Sequence, residues 1–354
     1  AAPSPKPGQM RLWTFQSVAH GADYVSYFRF RTCWIGTEIY WHGLLDYSNE
    51  PGRKIEELRQ IHSDFVKLGD VAGSRYQADF AVIRDYDNEW DGEFDRWHGE
   101  IRKLSEDGIF KASQYTHTPM DFLYLRKSTT LEELSRYKAL FYPHATILEK
   151  ETADLLKQYV EQGGLLIFGA RTGYKDIHGR CPMRPMPGHV ADLCGIKVKD
   201  FTIIGPYDND VPVTWGNKTV YTQKFNDILE VTAPDTKVLA TFGETYYAGE
   251  AALTERAVGK GKVYYFGAGF HLETAELFLE QLALSHPYSD SIDLPEECEL
   301  AVRKKGEKSY FFVLNYLGEP TSVTLKKEMK DVLNDKVVTG TIPVAPYGVS
   351  VFTL

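Results

Sequence analysis

Cysteine is scarce in this 354-residue chain: Cys33, Cys181, Cys194 and Cys298 stand far apart, with no CxxC pair and no zinc-ligand spacing. That pattern argues against a disulfide framework and a structural zinc site, and it fits the reduced thiols of a cytoplasmic protein. No apolar run approaches the roughly 18 residues that a membrane span requires. Basic residues are in deficit, with 40 Lys and Arg against 49 Asp and Glu, a net charge of −9 and a pI near 5.6. A nucleic-acid binder would carry a basic face, so neither nucleic acid nor a membrane is an expected partner. The amino terminus, AAPSPKPGQM, lacks the apolar core of a signal peptide, which says nothing of the true terminus if the chain starts inside a longer protein. Internal repeats and low-complexity segments are also missing.

What remains is an ordinary globular composition, 43% hydrophobic and 25% charged, long enough for two or three domains. Its most informative stretch is ADYVSYFRFRTCWIGTEIYWHGLLDY, Ala22 to Tyr47. Residues 22–30 read as a buried strand of apolar and aromatic residues. Arg29 and Arg31 mark its carboxyl end, and Trp34, Glu38, Tyr40, Trp41 and His42 follow closely. Rings that can lie against a pyranose face, beside a carboxylate and an imidazole that can bind hydroxyls, suit a saccharide pocket. The alternative reading is an aromatic core edge.

Around that stretch, residues 8–21 carry Leu12, Phe15, Val18 and Ala19 at helical spacing, and Gly52 to Leu68 places Ile55, Leu58, Ile61, Phe65 and Leu68 on one face. Helix, strand, helix is one and a half units of a (β/α) barrel and cannot close a sheet alone. From Asp79 the pattern alternates: strand 79–84, helix 89–106, strand 139–145, helix 148–164, strand 165–171, then strand-like segments from Ile196 to Gly269 and a helix at 272–286. Such alternation predicts a parallel sheet covered by helices. Beyond Pro295, residues 300–317, 321–327 and 348–354 alternate with period two, the mark of a small antiparallel β domain.

The run GQMRLWTFQSVAHGADYVSYFRFRTCWIGTEIYWHGLLDY, residues 8–47, resembles the end of the catalytic barrel in the β-galactosidases of glycoside hydrolase family 42. The resemblance continues through the remaining chain. It implies an α/β protein in three parts: the end of a (β/α)8 barrel over 1–75, a glutamine-amidotransferase-like α/β domain with which the family forms trimers over 76–290, and a small antiparallel β domain over 291–354. It further implies retaining hydrolysis of terminal β-D-galactosides, in which one carboxylate attacks the anomeric carbon while another serves as acid and base. Both glutamates are expected upstream of Gly8, so this chain should hold no catalytic residue and be inactive alone. Its expected partners are a galactoside, the remaining barrel polypeptide and two further copies in a homotrimer; no cofactor and no metal are expected.

In that family a glutamate and a following histidine of this loop bind the sugar, usually three apart. Here Glu38 and His42 are four apart and Trp41 holds the i+3 place, so the resemblance implies Glu38 as a ligand and leaves the second open between Trp41 and His42. One helical turn would put Glu38 and His42 on one face, and extended backbone would also put them on one side. The competing reading is a buried Glu38 paired to Arg31. An active amidotransferase would present a cysteine after LLIFG, where this chain has Ala170, Arg171 and Thr172. The acidic stretch Asp85, Asp87, Glu89, Asp91, Glu93 and Asp95 imitates a calcium loop up to Gly92, but its twelfth position is His98, so a solvated strand-to-helix turn is expected. Gly259, Gly261, Gly267 and Gly269 lack the order of a dinucleotide fingerprint and read as turns and close packing, while His144 and His271 read as structural. A non-catalytic assembly or carbohydrate-binding module is the alternative function.

Overall fold

The computed structural model describes residues 3–95 and 99–354, which form two compact units. The first comprises the described residues up to Gln77, with Gln114–Pro119 and His286–Leu354. Its sheet is antiparallel, with Arg75–Tyr76, Cys298–Lys305, Lys308–Asn315, Val349–Thr353, Thr321–Asp331 and Ile292–Asp293 in spatial order, and Lys336–Val344 paired to Thr321–Asp331. A two-residue turn joins Lys305 to Lys308, and Gly306 takes the positive φ of 59° that this turn demands. The strand KSYFFVLN is apolar along most of its length because both faces are covered. Tyr310, Phe312 and Leu314 pack against Leu12, Phe15, Val18 and Ala19 of the helix Gln9–Ala19, while Phe311 and Val313 pack against Ile292, Leu300, Val302 and Phe352.

The helices Gln9–Ala19 and Arg53–Lys67 form where helical spacing predicts them. Between them, the predicted buried strand at 22–30 does not form. Tyr24, Phe28 and Phe30 are 82%, 72% and 64% exposed, and among the described residues the segment makes backbone-to-backbone bonds to a later stretch only at its end. There Leu44 N–H donates to Arg29 O (2.9 Å), Leu45 N–H to Phe30 O (2.8 Å) and Thr32 N–H to Leu45 O (3.1 Å), around a lone parallel bridge between Arg31 and Leu45. Strand propensity is a fit to a pleated, half-buried surface with neighbours on both edges. Among the described residues no neighbouring strand exists, so the propensity has nothing to act on.

The second unit, Ala78–Ser113 with Met120–Ser285, is built on an 11-stranded mixed sheet. Its parallel half runs Met120–Tyr124, Phe80–Arg84, Ala139–Tyr142, Leu165–Phe168 and Gly261–Phe266. An antiparallel half follows from Ala251–Val258 outward. The runs FAVIR, ALFY and LLIF are continuous apolar stretches because helices bury both faces of such a sheet. Phe80, Val82, Phe141 and Ile167 face Phe278 and Leu279 of the helix Leu272–Gln281, while Ala81, Ile83, Leu140, Leu166 and Phe168 face Leu156, Tyr159 and Val160 of the helix Lys150–Glu161. The single helix predicted over 89–106 is two, Tyr86–Phe94 and Gly99–Tyr115. The edge strand Met120–Tyr124 is not among the elements predicted from the sequence.

Candidate functional site

Glu38 lies in the first unit, within a short 3₁₀ turn, Thr37–Tyr40, entered through Gly36 at a φ of 82°. Such tight turns eclipse residues three apart, and the chain leaves helical geometry at Trp41 (φ −91°, ψ 127°). The segment is therefore neither one α-turn nor a continuous extended run. Glu38 is not buried, and its partner is not Arg31: Oε2 lies 2.5 Å from Nη1 of Arg29. Arg29 Nε also donates to Arg31 O (2.9 Å), and its guanidinium lies 5.4 Å from the Phe28 ring centre. One hydrogen bond and a ring contact hold the arginine that pairs with the carboxylate.

Trp41 meets Phe28 edge to face, with ring centres 5.8 Å apart. His42 lines a hollow of about 380 Å³ together with Trp13, Tyr27, Phe28, Arg29 and Lys54, and also a neighbouring hollow of about 220 Å³ beside Asp46 and Arg53. His42 thus borders the groove directly, and Glu38 is connected to it only through Arg29. Gly43 follows, where a Cβ would stand 2.4 Å from Thr32 N and 2.7 Å from Arg31 C, so only glycine lets the two passes of the loop come this close. Thr32 seals the crossing by donating to Leu45 O (2.7 Å) and accepting from Gly43 N–H (2.9 Å). Lys54 donates to Gly43 O (2.9 Å), and burial, reinforced by Arg53, holds its ammonium below the usual value. Trp13, Tyr27 and Lys54 were not singled out by sequence, since their helical and segmental positions gave no hint that they border a groove.

The second unit presents no nucleophile at the end of Leu165–Phe168. Arg171 occupies that turn at a φ of 64°, with its guanidinium 4.4 Å from the Tyr174 ring centre and 4.9 Å from that of Phe225. Its backbone N–H donates to the buried carboxylate of Asp227 (2.7 Å). The acidic stretch does begin at a strand-to-helix turn, with Asp87 and Glu89 in the first helical turn and Asp87 and Glu93 in solvent, but the other acids are partly buried and partnered. Asp85 caps the helix Tyr86–Phe94 by accepting from Asn88 N–H (2.7 Å), Glu89 pairs with Arg84 (2.8 Å), and Asp91 and Asp95 both pair with Lys175 (2.6 and 2.7 Å). Helical backbone spreads these acids instead of converging them, and the charges of Glu89, Asp91 and Asp95 are spent on cations of the same unit. His98, the twelfth position of the calcium pattern, lies outside the described residues, and no cluster of three metal-ligating side chains occurs among those described. The glycines after Val258 do form turns and close approaches: a Cβ on Gly267 would stand 2.2 Å from Asp227 O.

The family model of the β-galactosidase trimerisation domain matches residues 78–287. The family 42 β-galactosidase model matches residues 1–68, and that of the β-galactosidase C-terminal domain matches 298–354. The chain is 29% identical over 360 residues to the β-galactosidase BgaA of Clostridium cellulovorans, covering 99% of this chain and 52% of that protein. It is 27% identical to the β-galactosidase LacZ of Heyndrickxia coagulans, covering 98% and 51%. Among solved structures, a catalytic mutant of Gan42B, a GH42 β-galactosidase from G. stearothermophilus, superposes with a TM-score of 0.87 at 21% identity over 99% of this chain and 51% of that one. The β-galactosidase of the haloarchaeon Halorubrum lacusprofundi gives 0.83 at 25% identity, over 99% and 50%. The chain spans about half the length of the relatives it matches.

Proposed function

The chain belongs to glycoside hydrolase family 42, the β-galactosidases, and from that premise we propose that it forms part of a retaining β-galactosidase. In this reading it supplies one wall of the sugar site and the oligomerisation domain. The nucleophile and the acid/base, both glutamates, come from barrel polypeptide upstream of Gly8. The observation that carries the reading is the loop itself: an accessible Glu38, oriented by Arg29, stands among exposed Phe28, Trp34, Tyr40 and Trp41. Exposed aromatic rings clustered along one loop suit a binding or docking face.

In such a site Glu38 accepts hydrogen bonds from sugar hydroxyls, and its value to the reaction lies in bonds that tighten as the anomeric carbon gains positive charge. His42 is favoured over Trp41 as the second polar ligand, because His42 borders the groove while Trp41 is engaged with Phe28. Trp41 and Phe28 then offer ring surface to the apolar face of the pyranose. The site part of the proposal is tested by Glu38→Ala in the complete enzyme. Loss of a charged hydrogen bond, about 1.5–3 kcal/mol, lowers kcat/KM on a nitrophenyl galactoside by roughly 10- to 150-fold. Unchanged kinetics would remove Glu38 from the site. The 354-residue chain assayed alone should show no turnover, and robust turnover would overturn the placement of both glutamates upstream.

A further inference from the structure

The root of the loop-bearing segment is held by a residue nearly three hundred positions away in sequence. Arg303, fully buried on the strand Cys298–Lys305, donates through Nη1 to the carbonyls of Val18 (2.7 Å) and Ala22 (3.2 Å). Through Nη2 it donates to Ser74 O and to the Asp23 carboxylate, both at 2.8 Å. Asp23 also accepts from Gly73 N–H (3.2 Å), and the guanidinium beside it holds its carboxyl below the usual range. One side chain therefore gathers the end of the helix Gln9–Ala19, the first residues of the segment leading to Glu38, and the turn before Arg75. Four residues earlier on the strand the same face presents Cys298's neighbour Glu299, buried, in contact with the His20 ring and the Tyr316 hydroxyl.

Beyond Asp23, the backbone has no ladder partner among the described residues until Arg29; between them the segment is tied by Val25, packed against the core around Leu12 and Phe15, and by a 2.5 Å contact between the Tyr27 and Thr14 hydroxyls. A segment without ladder bonds takes its direction from whatever fixes its ends. Burying a guanidinium is costly unless it is fully served with partners, and a well-packed apolar residue would stabilise the strand as well or better. Here four acceptors drawn from three separate segments serve Nη1 and Nη2 while Nε is buried without a partner, an arrangement that serves geometry more than strength.

We propose that Arg303 is a positioning residue: through it the carboxyl-terminal sheet sets the angle at which residues 22–42 present Arg29, Glu38 and His42. The positioning role rests on the reading of that loop as a galactoside wall, whereas the structural tie does not. If the aligned segment becomes a fraction of the population, apparent affinity falls by that fraction while saturating substrate still recovers the aligned form. KM should then rise with kcat retained, whereas general damage lowers kcat at constant KM. The test is Arg303→Met, with Asp23→Asn as the milder variant should the first fail to fold. Hydrogen exchange on the 354-residue chain is read together with galactoside kinetics of the complete enzyme. Exchange at 22–47 is expected to rise at least tenfold for Arg303→Met, with the 310–314 amides within twofold of wild type, and KM to rise at least fivefold. Unchanged exchange, an even rise across the sheet, or an unchanged KM would overturn it. Loosened exchange beside normal kinetics for Glu38→Ala would locate the failure in the galactoside reading and not in the tie.

Discussion

Asp227, on the strand Phe225–Val231, is the most deeply buried carboxylate described in the second unit. It accepts from Arg171 N–H (2.7 Å) and from the hydroxyls of Tyr174 and Tyr265 (2.8 Å each). Replacing it with alanine strands three donors in a closed interior. An unsatisfied buried polar group costs about 1–3 kcal/mol, and partial relaxation of the Tyr174 edge trims the sum to about 4 kcal/mol. For a domain of 150–250 residues, 1 kcal/mol moves Tm by about 2–4 °C, so calorimetry of Asp227→Ala should show a fall of roughly 8–16 °C. Burial pushes the Asp227 carboxyl up, against the pull of its hydrogen bonds. The folded state therefore holds this proton more tightly than the unfolded state, and the stability linked to it is full below the unfolded pKa and is lost as pH rises through the raised one. Asp227→Asn does not titrate, so the stability advantage of wild type over this variant should shrink from acid toward neutral pH. A fall under about 2 °C for the alanine variant, or an advantage that widens with pH, would refute the reasoning.

Other expectations follow from the same geometry. Phe15→Ala empties a fully buried site between the first helix and the carboxyl-terminal sheet and should cost about 3–5 kcal/mol in denaturant unfolding, with an unchanged m-value. Gly43→Ala drives a methyl group into the Thr32 backbone, so hydrogen exchange should accelerate across residues 29–45 while the helix Arg53–Lys67 stays protected. For Lys175, burial lowers the ammonium but its bonds to Asp91 and Asp95 outweigh it, leaving it above its usual value; Lys175→Met should cost about 1–3 kcal/mol throughout neutral pH, an effect lost only as pH climbs through that raised value. Light scattering should report three copies per particle for the intact chain, and a strict monomer at high concentration would remove the trimer from the proposal.

The parallel half of the second unit was legible because its strands are continuous apolar runs and its helices carry one apolar face, two periods that local sequence encodes directly. Met120–Tyr124 escaped because Asp121 interrupts its apolar run, and that acid is engaged by the Tyr137 hydroxyl (2.7 Å), a contact between residues sixteen positions apart. The acidic stretch misled for a related reason. Sequence shows six negative charges and cannot show that Lys175, eighty positions away, lies among them. In the candidate site, the ionic partner of Glu38 was not legible, since choosing Arg29 over Arg31 depends on where the backbone turns at Gly36.

The segment at 22–30 failed as a strand prediction for a more instructive reason. Its residues are those of an interior strand, Val25, Tyr27, Phe28 and Phe30 among them, yet most of its rings stand in solvent. Tyr24, Phe28, Phe30, Trp34, Tyr40, Trp41 and Tyr47, seven exposed rings within 24 consecutive residues, are far more than the scattered surface apolars of an ordinary protein. Leaving such rings in water forfeits about 25 cal/mol for each Å² that a neighbour would cover. The composition is therefore that of a surface meant to be covered. On the proposed function the cover is of two kinds: barrel polypeptide against the strand-like residues, and a galactoside against those that follow. The two can be told apart by experiment, because protein cover would quench exchange at the backbone of 22–30, whereas sugar would protect the side chains around Glu38 and His42 from modification and leave that backbone free.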